Sequence, residues 1–361
     1  MSGALIELAA KGEQDAYLTG KPEVSFFHQS YKRHTNFAMS PVKIDVMGTY
    51  GASQMVTLKI PNKGDLLGYI WMDMTSTTLT VASVNTTIFE LYIGGQMIDR
   101  QDGFYMSQLW QKFLIDSSAK GDASAADYGA KTAYTNGKWL PLHFFFCDSC
   151  YLPLVALQYH EVEIRITYGS SGFTGTAPTF YGNYIVLDTN EREAIVKSNM
   201  ELLIEQVQRI SPIDSSNKKF DLSYFNHPVK CLLWGNPDTN ATTANLQTSD
   251  VQLYLNGTEM FNSVMPNIYF TQVSGYYHSE FGTELLKGSN GGDTGSNLKM
   301  YSFALKANKH QPCGTCNFSR LDNGALTFGS ISNAPSPFYL YAVNFNVLRI
   351  KDGLGGLMFS N

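Results

Sequence analysis

Apolar and polar residues alternate along much of the chain, and this pattern predicts β-strands. In residues 158–166, three aliphatic side chains fall on one face and three charged side chains on the other. Such a period of two is typical of a half-buried antiparallel strand. The pattern recurs in residues 56–60 and in residues 338–347. The chain is therefore predicted to be a β protein.

A strand-turn-strand segment occurs twice in the sequence. Residues 91–98 (LYIGGQMI) contain the turn Gly94-Gly95, and residues 253–260 (LYLNGTEM) contain the turn Asn256-Gly257. Both dipeptides supply the positive φ angles that a tight hairpin requires. The copies lie 162 residues apart, which is about one domain length. Two β-domains of one plan in tandem are predicted.

Counting outward from the two turns predicts one apolar cross-strand pair in each hairpin. The pairs are Leu91 with Ile98 and Leu253 with Met260, and such pairs stabilise a sheet.

A second, looser repeat supports the duplication. Residues 152–153 (LP) lead into the strand pattern at 158–166, and residues 311–312 (QP) lead into residues 319–328 at a similar offset. Chance explains one short match more easily than two in the same order.

Two segments have helical rather than strand periodicity. Asn190 with Glu193 three residues later is typical of a helix start and predicts a short helical connector between the halves. Residues 104–116 repeat large apolar side chains at spacings of four, and this helix is predicted to cover an end of the first sheet.

Three stretches of small and polar residues are predicted to be exposed loops: 120–127, 169–178 and 288–295.

Length and composition support two packed domains. The 361 residues are 43% hydrophobic and 16% charged, which is enough apolar material for two cores. The formal net charge of −5 disfavours direct binding to nucleic acid. No apolar run reaches the ~18 residues of a membrane span. Five sparse cysteines predict reduced thiols and a protein made in the cytosol.

The sequence contains no catalytic or metal-binding pattern with the right spacing. His160-Glu161 lacks the second histidine of H-E-x-x-H, because residue 164 is isoleucine. No two histidines are two residues apart, which removes the H-x-H site of cupin enzymes of similar shape.

The sequence contains two C-x-x-C pairs, a unit that occurs in zinc and thiol redox sites. Cys147/Cys150 and Cys313/Cys316 are separated by most of a domain, whereas zinc ribbons place their pairs within ~20 residues. The thiols are predicted to be small buried side chains near strand ends.

The segment 353–356 (GLGG) predicts a tight turn rather than a dinucleotide loop. No catalytic, cofactor-binding or metal-binding residue is predicted, and the protein is not expected to be an enzyme.

Seven segments in one order, running from end to end of the chain, resemble the major capsid proteins of large icosahedral (nucleocytoplasmic) DNA viruses, with the greatest similarity to those of algal viruses. The segments are 12–37, 93–99, 152–162, 225–228, 301–305, 314–320 and 346–350.

The resemblance implies an all-β fold of two tandem eight-stranded antiparallel jelly-roll β-sandwiches with short connecting helices. It implies a homotrimeric, pseudo-hexagonal capsomer that tiles an icosahedral virion shell over an internal viral membrane, with neighbouring capsomers and with minor capsid and penton proteins as partners. The expected organisation is an N-terminal arm at 1–24, a first jelly roll at 25–188, a helical connector at 189–201 and a second jelly roll at 202–361. Assembly is expected in the host cytoplasm.

In this family the N-terminal arm meets minor capsid proteins or neighbouring subunits, and the resemblance makes Tyr17 and Leu18 the candidate contact residues. The chain departs from the family pattern in two ways. It has little room for long loops between Tyr254 and Tyr301, and Cys147 and Cys150 are not part of the pattern. Two alternatives stay open: a carbohydrate-binding β-sandwich, suggested by 21 tyrosines and four tryptophans, and a minor capsid protein of the same fold.

Overall fold

The structure is a computed structural model that divides into two compact units, Met1–Asn36 and Phe37–Asn361. The residues that it describes are 3–75, 77–79, 81–114, 139–148, 150–170, 173–213, 218–235, 247–249, 251–279, 298–332 and 338–360. The predicted loops 120–127 and 288–295 lie outside these residues.

The N-terminal unit contains two short α-helices, Gly3–Ala9 and Glu13–Thr19. The second helix begins with a local hydrogen bond, because the backbone N–H of Gly12 donates to Oδ2 of Asp15 at 2.8 Å. Such a bond satisfies one of the N–H groups that a helix start leaves without an internal partner.

The first half of the larger unit is built from antiparallel strands in two main sheets. The strands are β1 Phe37–Ile44, β2 Val46–Met47, β3 Met55–Lys59, β4 Leu66–Asp73, β5 Thr77–Leu79, β6 Ile88–Ile93, β7 Gln96–Asp102, β8 Trp139–Pro141, β9 Leu152–Pro153, β10 Val162–Thr167, β11 Phe173–Gly175 and β12 Thr179–Leu187. One sheet has the order β1-β12-β4-β8, with β9 also paired to β4, and the other has the order β2-β3-β10-β6-β7; β5 and β11 form a small third sheet.

The second half repeats this plan. One sheet has the order β13-β23-β15-β19, with β20 on β15 and β24 on β23; the other has the order β14-β21-β17-β18, and β16 pairs with β22. The strands are β13 Met200–Ile213, β14 Lys219–Asp221, β15 Pro228–Gly235, β16 Gln247–Ser249, β17 Gln252–Leu255, β18 Thr258–Glu259, β19 Leu298–Ser302, β20 Cys316–Asn317, β21 Gly324–Thr327, β22 Ser330–Ser332, β23 Phe338–Lys351 and β24 Leu354–Leu357.

The two halves share one strand order, which alternates between two facing sheets as a jelly roll does. The sheet β1-β12-β4-β8 corresponds to β13-β23-β15-β19, and β3-β10-β6-β7 corresponds to β14-β21-β17-β18. The predicted fold class, two tandem jelly rolls, is confirmed.

Short helices connect the strands. A helix, Thr189–Lys197, lies where the connector is predicted. Asp188, rather than Asn190, caps its start, because the side chain of Asp188 accepts a hydrogen bond from the N–H of Thr189. The helix predicted at 104–116 is present as Tyr105–Leu114 with π-type hydrogen bonds. The other helical segments are Val81–Thr86, Phe145–Asp148, Leu154–Ala156, Tyr269–Val273, Ser274–His278 and Phe318–Arg320.

Both predicted hairpin turns form, with positive φ at Gly94, Gly95, Asn256 and Gly257. The predicted pair of Leu91 with Ile98 is wrong. A bulge in β6–β7 places Asp99 opposite Leu91, since a bulge shifts every later pair by one residue.

In the second hairpin, the N–H of Met260 donates to the carbonyl oxygen of Leu253 at 2.9 Å, as the predicted register requires. Leu253 is fully buried, whereas Met260 is 44% exposed. The two side chains therefore do not share a buried contact.

Two further predictions are corrected. The loop predicted at 169–178 contains the short strand β11, which pairs with β5. The second repeat is real but lies later than expected: a two-residue strand, one 3₁₀ turn and a strand occur at residues 152–167 and again at 316–327.

The last long strand, β23, is buried on both faces rather than half-buried. Leu340 and Ala342 pack in the core of the second half, while Tyr341 and Val343 pack in a cluster that also contains the core of the first half. The cause is the junction of the halves: one sheet face of the second half is covered by its own second sheet, and the other by the first half.

Candidate assembly surfaces

The N-terminal unit presents large apolar side chains to solvent. Tyr17 is 97% exposed and Leu18 is 85% exposed on the helix Glu13–Thr19, and Phe26 and Phe27 are 92% and 96% exposed. Clustered apolar side chains at a surface lower the free energy when another surface covers them. The contact assigned to Tyr17 and Leu18 stays a prediction, since both are simply exposed here.

The two halves of the larger unit are joined through a buried acid, Asp102 at the end of β7. Its side chain is 3% exposed, and Oδ2 lies 2.7 Å from Nη1 of Arg209 on β13. The hydroxyl of Tyr341 on β23 donates to the same carboxylate at 2.7 Å, and the backbone N–H of Tyr105 donates to Oδ1 at 2.9 Å. Burial raises the pKa of Asp102 above its ordinary value, although Arg209 opposes the rise.

A second buried acid, Asp99, bonds the same two strands. Its Oδ1 accepts from the backbone N–H of Val207 on β13 at 3.0 Å, and its Oδ2 accepts from Nε2 of Gln101 at 2.6 Å. No cation is paired with Asp99 among the described residues. Burial raises its pKa to about 7.

A third polar group at the junction joins two strands of the second half. Nζ of Lys230 lies 2.5 Å from Oε1 of Glu205, and Nδ1 of His310 lies 3.5 Å from the same oxygen. Burial raises the pKa of Glu205, but Lys230 and His310 outweigh it and hold the pKa below its ordinary value.

The third group, Glu205, Lys230 and His310, lines a cavity of about 50 Å³ between the halves, together with Trp110 and His143, whose rings stack at 3.5 Å. Ligand pockets usually hold ~300 Å³ or more. The cavity therefore has room for water but not for a drug-sized molecule.

This junction is not evident from the sequence, because the charged residues stand singly on strands. The partners of Asp99 and Asp102 on β13 lie more than a hundred residues away along the chain. One signal was available: the return strand of the first hairpin, residues 96–102 (QMIDRQD), carries two aspartates at positions where the matching hairpin has none. Acids on a strand next to a core either face water or find a buried partner.

The Asp99 carboxyl predicts a pH dependence of stability. Its pKa is raised in the folded chain from 3.8 to about 7, so between these values the folded state binds more protons than the unfolded state. The contribution to stability is full below pH 4 and is lost as the pH rises through 7. Asp99→Asn keeps an acceptor for the N–H of Val207 and does not ionise. We expect its free energy of unfolding, relative to wild type, to increase from pH 5 to pH 8 in urea titrations.

Asp221→Asn is the control for that measurement. Asp221 is exposed, and hydrogen bonds from Ser223 lower its pKa, so its stabilising effect is present at neutral pH and is lost in acid. A difference between wild type and Asp99→Asn that stays constant from pH 5 to pH 8 contradicts the prediction.

A C-terminal hairpin, formed by β23 and β24, joins the second half to the first. The N–H of Tyr159 donates to the carbonyl oxygen of Gly353 at 3.1 Å, and Nδ1 of His160 lies 3.1 Å from the N–H of Gly355. A Cβ on Gly355 would lie 2.6 Å from the side chain of Leu157. Of the residues predicted as a tight turn at 353–356, only Gly353 lies in the turn, and residues 354–356 belong to β24. The glycines of this segment permit a close approach of two backbones.

The described residues give no support for the two C-x-x-C pairs as reactive sites. Burial raises the pKa of Cys150 to about 11 and raises that of Cys316 as well, which opposes thiolate formation. Within the described ranges, no group of three or more His, Cys, Asp or Glu side chains could hold a metal ion. None of the helices in the described part of the chain has the length and apolar character to span a bilayer.

The paired jelly rolls, the buried junction and the exposed apolar surfaces define a structural protein of the double jelly-roll class. The sequence matches two protein families along its length. Residues 25–208 match the family described as "Major capsid protein N-terminus", and residues 191–356 match "Large eukaryotic DNA virus major capsid protein". The chain belongs to this family of viral major capsid proteins.

Individual relatives agree with this assignment. The major capsid protein of Pyramimonas orientalis virus is 35% identical and that of Paramecium bursaria Chlorella virus 1 is 32% identical, each over the whole of both chains. The chain superposes on a solved structure of the PBCV-1 virus capsid with a TM-score of 0.76 and 27% identity, covering 93% of this chain and 100% of that one. The major capsid protein of Faustovirus, at 11% identity and a TM-score of 0.60, shares the fold.

The protein is therefore a structural component of the virion and not an enzyme. Its relatives are major capsid proteins, so function is carried by surfaces that bind other capsid subunits.

Proposed function

We propose that three copies of this chain form a pseudo-hexagonal capsomer, the repeating unit of an icosahedral shell. The duplicated strand order of the two halves carries the proposal. Three copies contain six similar domains, and a closed threefold ring of six similar domains has a nearly hexagonal outline. Such capsomers can fill a lattice of one shape with one gene product.

Light scattering coupled to gel filtration tests the trimer. The expected mass is three times the 40.1 kDa of the chain, and electron microscopy should show particles of roughly hexagonal outline. Monomers at high protein concentration contradict the proposal. Monomers that also bind a glycan array favour the carbohydrate-binding alternative, which the many tyrosines suggest.

The N-terminal arm is proposed to bind a minor capsid protein or a neighbouring subunit through Tyr17 and Leu18. Their near-complete exposure supports a role in binding. The variant Tyr17→Ala/Leu18→Ala is expected to form normal trimers but to enter shells poorly when minor capsid proteins are co-expressed. Lys11→Ala, an exposed change in the same arm, is the control. Equal shell yield from both variants contradicts this role.

The other expected partners are neighbouring capsomers and penton proteins, with the internal viral membrane reached indirectly and no direct contact to nucleic acid. The net charge of −5 supports the last point. Synthesis and assembly in the host cytoplasm are part of the proposal, and the sparse cysteines support them, since reduced thiols are the rule there. The domain boundaries 1–24, 25–188, 189–201 and 202–361 are part of the same proposal.

A further inference from the structure

Equivalent positions in the two halves follow from the strand registers. Leu66 at the start of β4 pairs with β9, and Pro228 at the start of β15 pairs with β20. Counting along both strands makes Trp71 equivalent to Leu233. The residues paired with them on the next strand are then equivalent as well. Tyr181 pairs with Trp71, and Tyr341 pairs with Leu233.

The next strand completes one surface. Lys43 pairs with Tyr181 as Arg209 pairs with Tyr341. It follows that Met39, Pro41 and Lys43 on β1 occupy the places of Glu205, Val207 and Arg209 on β13. The β13 residues lie on the sheet face that the first half covers within the chain.

The equivalent face of the first half is open and apolar. Met39 on β1 is 60% exposed and Tyr69 on β4 is 50% exposed. The ring of Trp71, also on β4, stacks at 4.7 Å on that of Tyr181 on β12, the strand between β1 and β4. We define this surface, Met39, Pro41, Tyr69, Trp71 and Tyr181, as the sheet face.

The first half contributes its hairpin and π-type helix to the junction within the chain, and the equivalent surface of the second half is open. Tyr105 begins one π-type helix and Tyr269 begins the other. The N–H of Tyr105 donates to the side chain of Asp102 and that of Tyr269 donates to the backbone carbonyl oxygen of Pro266, and each acceptor lies three residues earlier. Pro266 therefore stands where the first half has Asp102.

The same side extends to the hairpin and the helix start. Asp99 lies opposite Leu91, and Met260 bonds to Leu253 at the matching place in the second hairpin. Ile268 matches Phe104 in front of the helix. Met260 is 44% exposed and Ile268 is 46% exposed, whereas Phe104 is fully buried at the intrachain junction. We define Met260, Pro266, Ile268 and Tyr269 as the helix face.

We propose that the helix face of one copy binds the sheet face of the next copy, so that the joint between the halves recurs between chains. Within the chain, the sheet of the second half already packs against the hairpin and helix of the first half. The sheet face of the first half and the helix face of the second half stay open, and a head-to-tail ring requires one open surface of each kind. The inference rests on the proposed trimer and names the residues that close it.

Where the two halves carry different residues at equivalent positions, the differences on the sheet face and on the helix face compensate each other. Asp99 accepts from the N–H of Val207 inside the chain; between chains Met260 has no acceptor at that place, and Pro41 has no N–H to leave unsatisfied. A buried donor without an acceptor is costly. Between chains neither the donor nor the acceptor is present at this place, so no group is left unsatisfied.

The ion pair of Glu205 and Lys230 is likewise replaced at both of its positions. Glu205 and Lys230 form a bond inside the chain, and their equivalents are Met39 and Gly68. The contact within the chain is thus held partly by buried charges. Of the equivalents named here for the contact between chains, only Lys43 is charged, and the others offer apolar and aromatic contact.

Paired charges at Met39 and Met260 test the joint. Their equivalents, Glu205 and Asp99, are close enough for the charge of Glu205 to act on Asp99. Met39→Glu and Met260→Lys, taken singly, are each expected to raise the trimer dissociation constant at least about tenfold, because each buries an unpaired charge. The double variant Met39→Glu/Met260→Lys is expected to recover most of that loss, as is the reversed pair Met39→Lys/Met260→Glu.

Met55→Glu is the matched control, since Met55 is an exposed methionine on β3 of the opposite sheet. It is expected to stay trimeric. Circular dichroism checks that every variant is folded. If wild type is trimeric and both single variants stay trimeric at the same concentration, this joint is wrong and the trimer stands. A monomeric wild type overturns the trimer itself.

Discussion

Replacing Trp234 by alanine is expected to lower the free energy of unfolding by about 3–5 kcal/mol, the range for deleting a buried aromatic side chain. Trp234 lies on β15 and is fully buried. Its ring lies 5.2 Å from that of Phe270 and 6.3 Å from that of Phe328, so its removal leaves a cavity among rigid neighbours. Urea unfolding followed by circular dichroism measures the loss, at one protein concentration, because assembly adds to apparent stability.

Two further variants separate packing from other effects. The indole N–H of Trp234 has no hydrogen-bond partner among the described residues. Trp234→Phe keeps a ring, deletes that donor and leaves a smaller cavity, so it is expected to cost clearly less than Trp234→Ala. Tyr224→Ala removes a 74% exposed ring and should change stability by less than about 0.5 kcal/mol. Losses of similar size for Trp234→Ala and Tyr224→Ala contradict a packing role.

The sequence predicts the strands well where one face is buried. Val162, Ile164 and Ile166 on β10 are all buried, and the polar residues between them are not. Glycine-containing dipeptides fix both hairpin turns, since only a few residue types adopt positive φ readily. These are local rules, and local rules are readable from the chain.

Register and burial on the second face follow from distant partners and are not readable in the same way. The bulge that places Asp99 opposite Leu91 has no local signature, because the acid is held by the N–H of Val207, more than a hundred residues later. Likewise β23 has the alternation of a half-buried strand, and only the position of the first half shows that both faces are covered.

The difference between the two joints has a physical consequence for assembly. Burying ions between surfaces that never separate imposes its desolvation cost once, during folding. A joint that forms between separate chains avoids that cost when its surfaces are apolar. Charges at the joint within the chain also distinguish it from the open copy of the same surface, which disfavours pairing of the wrong halves.

Breaking the ion pair at the joint within the chain is the second large effect that we expect. Arg209→Met leaves the carboxylate of Asp102, 3% exposed, without its cation, and breaking such a buried pair costs about 3–5 kcal/mol. Loss of Arg209 also removes the charge that opposes the raised pKa of Asp102. Since a raised carboxyl pKa makes stability fall as the pH rises, the deficit of Arg209→Met should be larger at pH 8 than at pH 5.

The double variant Arg209→Met/Asp102→Asn distinguishes a charge effect from lost packing. Asparagine keeps an oxygen that can accept from the N–H of Tyr105 and carries no charge, so the double variant should regain about half or more of the loss. Arg349→Met is the control, because Arg349 and Glu201 form an exposed pair at 3.8 Å that contributes at most about 1 kcal/mol. If Arg209→Met costs no more than Arg349→Met, or if the second change recovers nothing, the buried charge is not what holds the halves together. Recovery with a flat pH profile would instead assign the loss to the hydrogen bonds of Asp102 rather than to its ionisation.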